Sequence, residues 1–168
     1  MSTLSVDTIQ GQTAAAKVIM PAGMVVQTQF HTFTNITSVT SSSYSDVGGS
    51  SFTFTPKFAS SLLHITASIH CYTYRSNNAS GGSFDINVYG SNISASSDAR
   101  EYYIDIGGAN NQYCFSRQHK EVTVSASNTS AKTIKLQMKN YVSSNSGGFR
   151  INDGGNYISS IKVQEVAQ

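Results

Sequence analysis

The feature that most constrains the fold is an alternation of apolar and polar residues with a period of two. In the segment from Lys132 to Lys139, the side chains of Ile134, Leu136 and Met138 would share one face, with polar side chains on the other. Such a segment is typical of an antiparallel strand that has one face in water. The same alternation recurs in residues 52–55, 63–71 and 83–89. No segment shows a helical period over more than a turn or two.

Glycine-rich punctuation between these segments also favours an all-β chain. Glycine adopts positive φ at little cost, so we expect the Gly-Gly pairs at loop tips. These pairs lie at residues 48–49, 81–82, 107–108, 147–148 and 154–155. Further strand candidates are residues 24–34, 101–106, 112–125 and 157–166. In the last of these, Ile158 and Ile161 would fall on opposite faces, which predicts a bulge near Ser159-Ser160. The pattern indicates an antiparallel β-sandwich or barrel.

Charge and hydropathy exclude several classes of function. The formal net charge is +2 without any basic run, so nothing predicts nucleic-acid binding. No apolar stretch approaches the roughly 18–20 residues of a membrane span, and no secretory signal is visible. Cys71 and Cys114 are too few for a disulfide framework, and we expect both to be reduced in a protein made in a cytoplasm.

The sequence predicts no catalytic residues, no cofactor and no metal site. His64 and His70 would share a strand face about 20 Å apart, too far to hold one metal ion within a single chain. A metal ion on a trimer axis, with one of these histidines from each subunit, is the alternative. Asp98, Glu101 and Asp105 cluster in the sequence, and two acids are the minimum for a glycosidase. Acids mixed with arginine more commonly keep a surface soluble, so we expect no enzymatic activity.

Three passages carry recognisable motifs. They are the leader STLSVDTIQ with MPAGMVVQ behind it, the segment TSVTSSSYSDVGGSSFTFTPK followed by SSLLHI, and the ending YISSIKVQEV. In these motifs the chain resembles tail-fibre-like virion proteins of bacteriophages, notably those of marine and cyanobacterial phages. The resemblance covers the first part of the chain and its last strand, whereas residues 75–155 carry none of these motifs.

The resemblance implies a structural, non-enzymatic virion protein, assembled in the cytoplasm of the host bacterium. It implies a jelly-roll β-sandwich like that of the tumour-necrosis-factor fold, with an extended N-terminal arm, and a homotrimer. In most relatives the leader belongs to a longer chain with a shaft; here we expect the leader and one domain alone, and therefore a short tail fibre or spike that attaches to a host-surface glycan. The alternative is a capsid decoration or head-fibre protein, which would dock on the capsid and stabilise it.

The N-terminal arm is predicted to span residues 1–23 and the β-sandwich domain residues 24–168. The arm contains too few apolar residues to form a core alone, so we expect it to form a short strand or strand pair against a neighbouring subunit or another virion protein. The docking side chains would be Leu4, Val6, Ile9, Val18, Ile19 and Met20.

Tyrosine is abundant and tryptophan is absent, a composition that suits a contact surface. Five tyrosines are expected opposite the apolar faces of their strands, either in a subunit interface or with their hydroxyl groups in water. These are Tyr72, Tyr74, Tyr89, Tyr103 and Tyr141.

Three segments rich in Ser, Asn, Gly and Tyr are the candidate receptor-facing loops. They span residues 75–83, 107–113 and 143–151, and their polar side chains suit hydrogen bonding to sugars. The residues singled out in them are Arg75, Asn77, Asn78, Asn110, Asn111, Asn145 and Arg150.

Overall fold

A computed structural model of the chain describes residues 21–75, 80–93, 102–104, 112–141, 148–154 and 156–168. The described residues form twelve strands and no helix. The strands are β1 Val25–Phe33, β2 Thr37–Val39, β3 Ser45–Asp46, β4 Phe52–Phe54, β5 Leu62–Arg75, β6 Ser80–Val88, β7 Ser91–Asn92, β8 Tyr102–Ile104, β9 Gln112–Ser125, β10 Lys132–Asn140, β11 Gly148–Ile151 and β12 Ser159–Val166. The prediction of an all-β antiparallel fold is confirmed.

The first sheet, sheet A, is built around the long strand β5. One edge of β5 pairs with β9 along its full length, from Leu62 opposite Ser125 to Arg75 opposite Gln112. Its other edge pairs with β12 over its first half and with β11 over its second half. β1 extends the sheet beyond β12, and β2 extends it beyond β11.

The second sheet, sheet B, has β10 and β6 at its centre, paired from Ile134 opposite Val88 to Asn140 opposite Gly82. The short strands β3 and β4 pair with the other edge of β10, and β7 and β8 with the other edge of β6. Apolar side chains from both sheets form one buried cluster, which shows that the two sheets pack face to face. This arrangement is an antiparallel β-sandwich.

The predicted apolar faces are confirmed. Leu63, Ile65, Ala67, Ile69 and Cys71 are buried on the inner face of β5. Their counterparts in sheet B are also buried, and these are Phe84, Ile86, Val88, Ile134, Leu136 and Met138. The alternation therefore identifies the core correctly in both sheets.

Strand β6 differs from expectation because it is buried on both faces. Asp85 and Asn87 alternate with the apolar residues of β6, yet both are buried. Lys120 of β9 accounts for part of this burial, since its Nζ donates to the carbonyl oxygen of Phe84 at 2.7 Å and lies 3.9 Å from Oδ1 of Asp85. The alternation within β6 alone cannot predict this burial, because the contacting lysine belongs to a strand of the other sheet.

The Gly81-Gly82 pair lies within β6, so the prediction of a loop tip there is wrong. A Cβ atom on Gly82 would come 2.4 Å from both the carbonyl oxygen of Lys139 and the Phe149 ring. Glycine is required here by a close approach between strands, not by a turn.

The predicted bulge near Ser159-Ser160 is also wrong. β12 pairs with β5 in unbroken register from Ser160 to Val166, and Ile158 precedes the strand with its side chain exposed. An irregularity lies instead in β1, between Val25 and Gln27. Ile158 and Ile161 fall on opposite sides because only Ile161 belongs to the strand.

Three side chains of β1 connect the two sheets at one edge of the sandwich. Gln27 Nε2 donates to the carbonyl oxygen of Thr55, Gln29 Nε2 to that of Thr53, and His31 Nε2 to that of Gly49. His31 also stacks on Phe52, with ring centroids 4.8 Å apart. His31 is therefore a structural histidine that closes this edge.

The sandwich has two distinct ends. At the end where β5 begins, called here the arm end, Gly23 N donates to Ala167 O and Ala167 N to Met24 O. The described chain thus starts beside the C-terminus. The opposite end, called the loop end, is where β5 stops at Arg75. Residues 1–20 lie outside the described residues, so the predictions for Leu4, Val6, Ile9, Val18, Ile19 and Met20 stay predictions.

Candidate functional site

A cluster of aromatic and arginine side chains lies on the outer face of sheet A, toward the loop end. The members on β5, β9 and β11 alternate with the core residues of their strands and therefore point away from the core. Tyr157 precedes β12 and joins the cluster by stacking on His70. We call this cluster the platform, and it consists of His70, Tyr72, Phe115, Arg117, Arg150 and Tyr157.

The aromatic rings of the platform are held by one another. His70 stacks on Tyr157 with ring centroids 3.6 Å apart and an interplanar angle of 10°. Phe115 packs against Tyr72 at 4.8 Å and against His70 at 6.4 Å, both in tilted arrangements. Tilted and offset pairs of this kind are favourable because ring edges are positive and ring faces negative.

The rings of the platform differ in how far they are exposed to solvent. Tyr72 is only 6% exposed and forms the base. Phe115 is 51% exposed and Tyr157 is 37% exposed, although both are large apolar groups. Water therefore reaches two rings whose positions are fixed from beneath.

The two arginines lie at the margins of the platform. Arg117 donates through Nη1 to Ser68 Oγ at 3.0 Å and through Nη2 to the carbonyl oxygen of Ile158 at 3.2 Å. The Arg150 guanidinium lies 5.7 Å from the Tyr72 ring centroid, and its Nη1 is 3.2 Å from Asp153 Oδ1. Both guanidinium groups are thus oriented by groups of the protein.

His70 is the titratable ring of the platform. Desolvation by burial, together with the positive charge of Arg117, holds the pKa of His70 below its usual value of 6.5. Within the described part of the chain, its buried Nδ1 has no hydrogen-bond partner. His70 is therefore neutral at physiological pH, and it contributes a ring rather than a charge.

No protein-family model matches the chain, and no curated protein matches it. The platform must therefore be interpreted from its own chemistry.

A second polar centre lies at the arm end, around the carboxylate of Glu165. The side chain is fully buried and accepts hydrogen bonds from Ser61 Oγ, Gln27 Nε2 and the backbone N–H groups of Lys57 and Phe58, at 2.6–2.9 Å. We call these five residues the Glu165 anchor. It ties the loop after β4 to the last strand.

The Glu165 anchor is a structural device. Desolvation acts to raise the pKa of Glu165, but the hydrogen bonds from Ser61, Lys57, Phe58 and Gln27 outweigh it and lower the pKa below 4.5. A buried carboxylate whose pKa is lowered, and whose oxygens are occupied by donors of its own chain, suits neither proton transfer nor ligand binding. The passages FTPK, SSLLHI and VQEV, which carry the resemblance, are thus joined by this contact.

Of the predicted interface tyrosines, Tyr72 and Tyr89 have described side chains that lie on different sheets, and the interface itself stays a prediction. Tyr72 is buried in the platform, and Tyr89 lies at the turn between β6 and β7. The Tyr89 hydroxyl donates to the carbonyl oxygen of Ala126, and its ring lies 4.1 Å from Nζ of the buried Lys132. Both tyrosines therefore stabilise their own chain. Tyr74 and Tyr103 occupy β5 and β8, and Tyr141 directly follows β10.

Strand ends flanking the three candidate receptor loops lie together at the loop end. Arg75, the last residue of β5, pairs with Gln112 of β9, and its neighbour Tyr74 pairs with Gly148 of β11. Arg150 lies within β11 rather than in a loop, contrary to its predicted location. The remaining singled-out residues, Asn77, Asn78, Asn110, Asn111 and Asn145, lie outside the described residues.

Predictions about ions, catalysis and membranes are only partly covered by the described residues. Among these residues no group of three or more His, Cys, Asp or Glu side chains could hold a metal ion. Asp98, Glu101 and Asp105 lie outside the described residues. Where the chain is described, it contains no helix that is long and apolar enough to cross a membrane.

The sequence of β9 contains one signal for the platform. Phe115 and Arg117 alternate with Cys114 and Ser116 in the same way as core residues alternate with polar ones. That alternation places Phe115 and Arg117 on one face. It does not show that this face points to solvent, which requires knowing that β9 pairs with β5.

Proposed function

We propose that this chain is a structural, non-enzymatic bacteriophage virion protein that attaches the particle to its host, as a short tail fibre or spike. The observation that carries the proposal is the polarity of the sandwich. Gly23 and Met24, at the start of the described chain, lie at the arm end, whereas the strand ends flanking the candidate receptor loops lie at the loop end.

The distance between the two ends supports this role. The fourteen residues of β5 connect the arm end to the loop end. At about 3.3 Å per residue the strand is roughly 43 Å long. An arm docked on the particle would therefore leave the loop end and the platform pointing outward. A host-surface glycan is the proposed receptor.

We also propose a homotrimer, as the resemblance implies. Three copies around one axis would present three loop ends side by side. Individually weak contacts with a repetitive surface would then combine, because linked sites raise one another's effective concentration. Light scattering of the full chain should give about three times the chain mass of 18.0 kDa. A monomer at micromolar concentration would contradict this part of the proposal.

Deletion of the gene from the encoding phage tests the attachment role directly. Particles without the protein should keep their heat and osmotic resistance and lose adsorption to host cells. The purified full chain, added in excess to wild-type phage, should compete for the same cells. Particles that adsorb normally but burst under heat or osmotic stress would overturn the proposal in favour of capsid decoration.

The orientation can be tested separately by electron microscopy of labelled particles. A peptide tag after Gln168 would lie at the arm end, and a tag inserted between Arg75 and Ser80 would lie at the loop end. We expect the second tag to lie farther from the particle by several nanometres. Deletion of residues 1–20 should leave a folded domain that no longer joins the particle. A truncated chain that cannot fold would assign the segment to the sandwich instead.

A further inference from the structure

The platform combines ring faces and planar donors whose positions are fixed before any ligand arrives. Tyr157 is held by His70 and Phe115 by Tyr72, while both arginines are oriented by hydrogen bonds or an ion pair. Fixing side chains in advance removes the entropy cost of ordering them on binding. Phe30 of β1, on the same face of sheet A, is more exposed than either ring, at 68%.

The exposed rings suit the apolar face of a sugar ring. Both rings contact His70, with centroids 6.4 Å away for Phe115 and 3.6 Å away for Tyr157, so the two exposed rings belong to one patch. Binding sites for small polar ligands typically combine apolar or aromatic area with a few placed polar groups. The platform has this composition, with arginine as the polar element.

The charge of the platform indicates an acidic ligand. Two guanidinium groups, Arg117 and Arg150, are accompanied by one carboxylate, Asp153, which contacts only Arg150 among the described residues. A guanidinium carries five N–H donors, and Arg117 donates to Ser68 and Ile158, so donors remain for a ligand. Planar paired donors match a carboxylate geometrically, and the resulting bonds are about twice as strong as neutral ones.

We propose that the platform binds a sugar that bears a carboxylate, of the uronic-acid type, with the sugar ring stacked on Phe115 and Tyr157 and the carboxylate on Arg117. This inference rests on the proposed attachment function and specifies its ligand. It places a receptor contact on the outer face of sheet A, in addition to any contact made by the loops.

Binding of defined sugars to the purified full chain tests the proposal. The probes are tetragalacturonic acid and its methyl ester, which keeps the shape and removes the charge. Titration calorimetry should detect binding of the acid with a Kd in the millimolar range or lower. The ester should bind with a Kd at least about tenfold higher. Saturation-transfer NMR should show the strongest transfer to the protons on the sugar ring face.

Three variants separate stacking from charge. Phe115→Ala and Tyr157→Ala should each weaken binding of both probes about tenfold. Arg117→Gln should remove the preference for the acid over the ester while leaving ester binding unchanged. Phe30→Ala, an exposed aromatic residue on the same sheet face but on the distant strand β1, should leave both affinities unchanged.

Several outcomes would overturn the inference. Absence of acid binding at about 10 mM would do so, as would equal affinity for acid and ester. A monomer in light scattering for Phe115→Ala, where the unmodified chain is an oligomer, would assign the platform to a subunit interface. Attachment would survive these results if the unmodified chain still competed for phage adsorption, whereas failure of that competition would remove the proposed function itself.

Discussion

The Glu165 anchor and the platform both involve polar groups held in fixed positions on sheet A, but they leave those groups in opposite states. In the anchor, every donor points at one buried carboxylate, and the protein itself satisfies that carboxylate. In the platform, rings and guanidinium groups are supported from below and remain accessible above. The first arrangement stabilises a fold, and the second keeps binding capacity at the surface.

The largest effect expected from this comparison concerns Glu165→Gln. The amide has one acceptor oxygen where the carboxylate has two, and an NH₂ group in place of Oε2 would face the N–H donors of Gln27 and Lys57. Buried donors left without an acceptor should cost about 3 kcal/mol or more in the free energy of unfolding. Urea denaturation followed by circular dichroism measures this loss.

The matched control for this change is Glu121→Gln, on the exposed face of β9. It should alter the free energy of unfolding by less than about 0.5 kcal/mol. Equal losses for the two variants would contradict the assignment of Glu165 as a structural anchor, since a general charge effect would then explain both.

Much of the core was predicted from the sequence, whereas neither the Glu165 anchor nor the platform was. The alternation identified the inner face of β5, and the range predicted for β9 agrees with Gln112–Ser125. Strands β2, β3 and β7 were not predicted, because their two or three residues do not alternate apolar and polar side chains as the three residues of β4, Phe52–Phe54, do. Strand β11 was not predicted because the residues that precede it are typical of a loop. The platform depends on which strands are neighbours, since Tyr72 meets Phe115 on β9 and Arg150 on β11.

Long-range pairing also explains the misplacement of Arg150. Its surroundings in sequence, with Asn, Ser and Gly on the N-terminal side, are typical of a loop. Pairing of Phe149 with Thr73 of β5 and Val39 of β2 converts the end of that segment into a central strand. Local sequence propensity cannot predict this strand, because the strand depends on pairing with both β5 and β2.

A second prediction concerns the close packing between the two sheets at Gly82. Gly82→Ala would place a Cβ atom 2.4 Å from Lys139 O and the Phe149 ring, so β6 and β11 must move apart. We expect a loss of about 1–3 kcal/mol in the free energy of unfolding. In the double variant with Phe149→Leu, the loss should be smaller than the sum of the two single losses. Strict additivity would show that the ring is not the obstacle.

The pH dependence of stability should separate the two regions. The folded-state pKa of His70 is lowered, so its contribution is fully present above the ordinary pKa of 6.5 and is lost as pH falls below that value. The pKa of Glu165 is also lowered, so its contribution is present above 4.5 and is lost as pH falls further.

Two variants assign these windows. His70→Phe keeps a ring against Tyr157 and removes the proton, so stability should no longer change between pH 7 and 5.5 through this group. Glu165→Gln should flatten the profile below 4.5 and leave the upper window in place. Thermal unfolding across pH measures both. A profile in which His70→Phe alters only the acidic window would contradict the assignment.

The smallest effect on stability is expected for the exposed rings of the platform. Phe115→Ala removes a side chain that is 51% exposed, so about half of its apolar area is lost from burial and the free energy of unfolding should fall by about 1–2 kcal/mol. Phe30→Ala, with 68% exposure, should cost still less. The two variants should therefore affect different measurements. Phe115→Ala should weaken sugar binding and lower the free energy of unfolding less than Glu165→Gln does. Glu165→Gln should lower the free energy of unfolding, while the protein that remains folded binds the sugar with unchanged affinity. A loss of about 3 kcal/mol for Phe115→Ala would place the platform in the folding core and remove the distinction between the two regions.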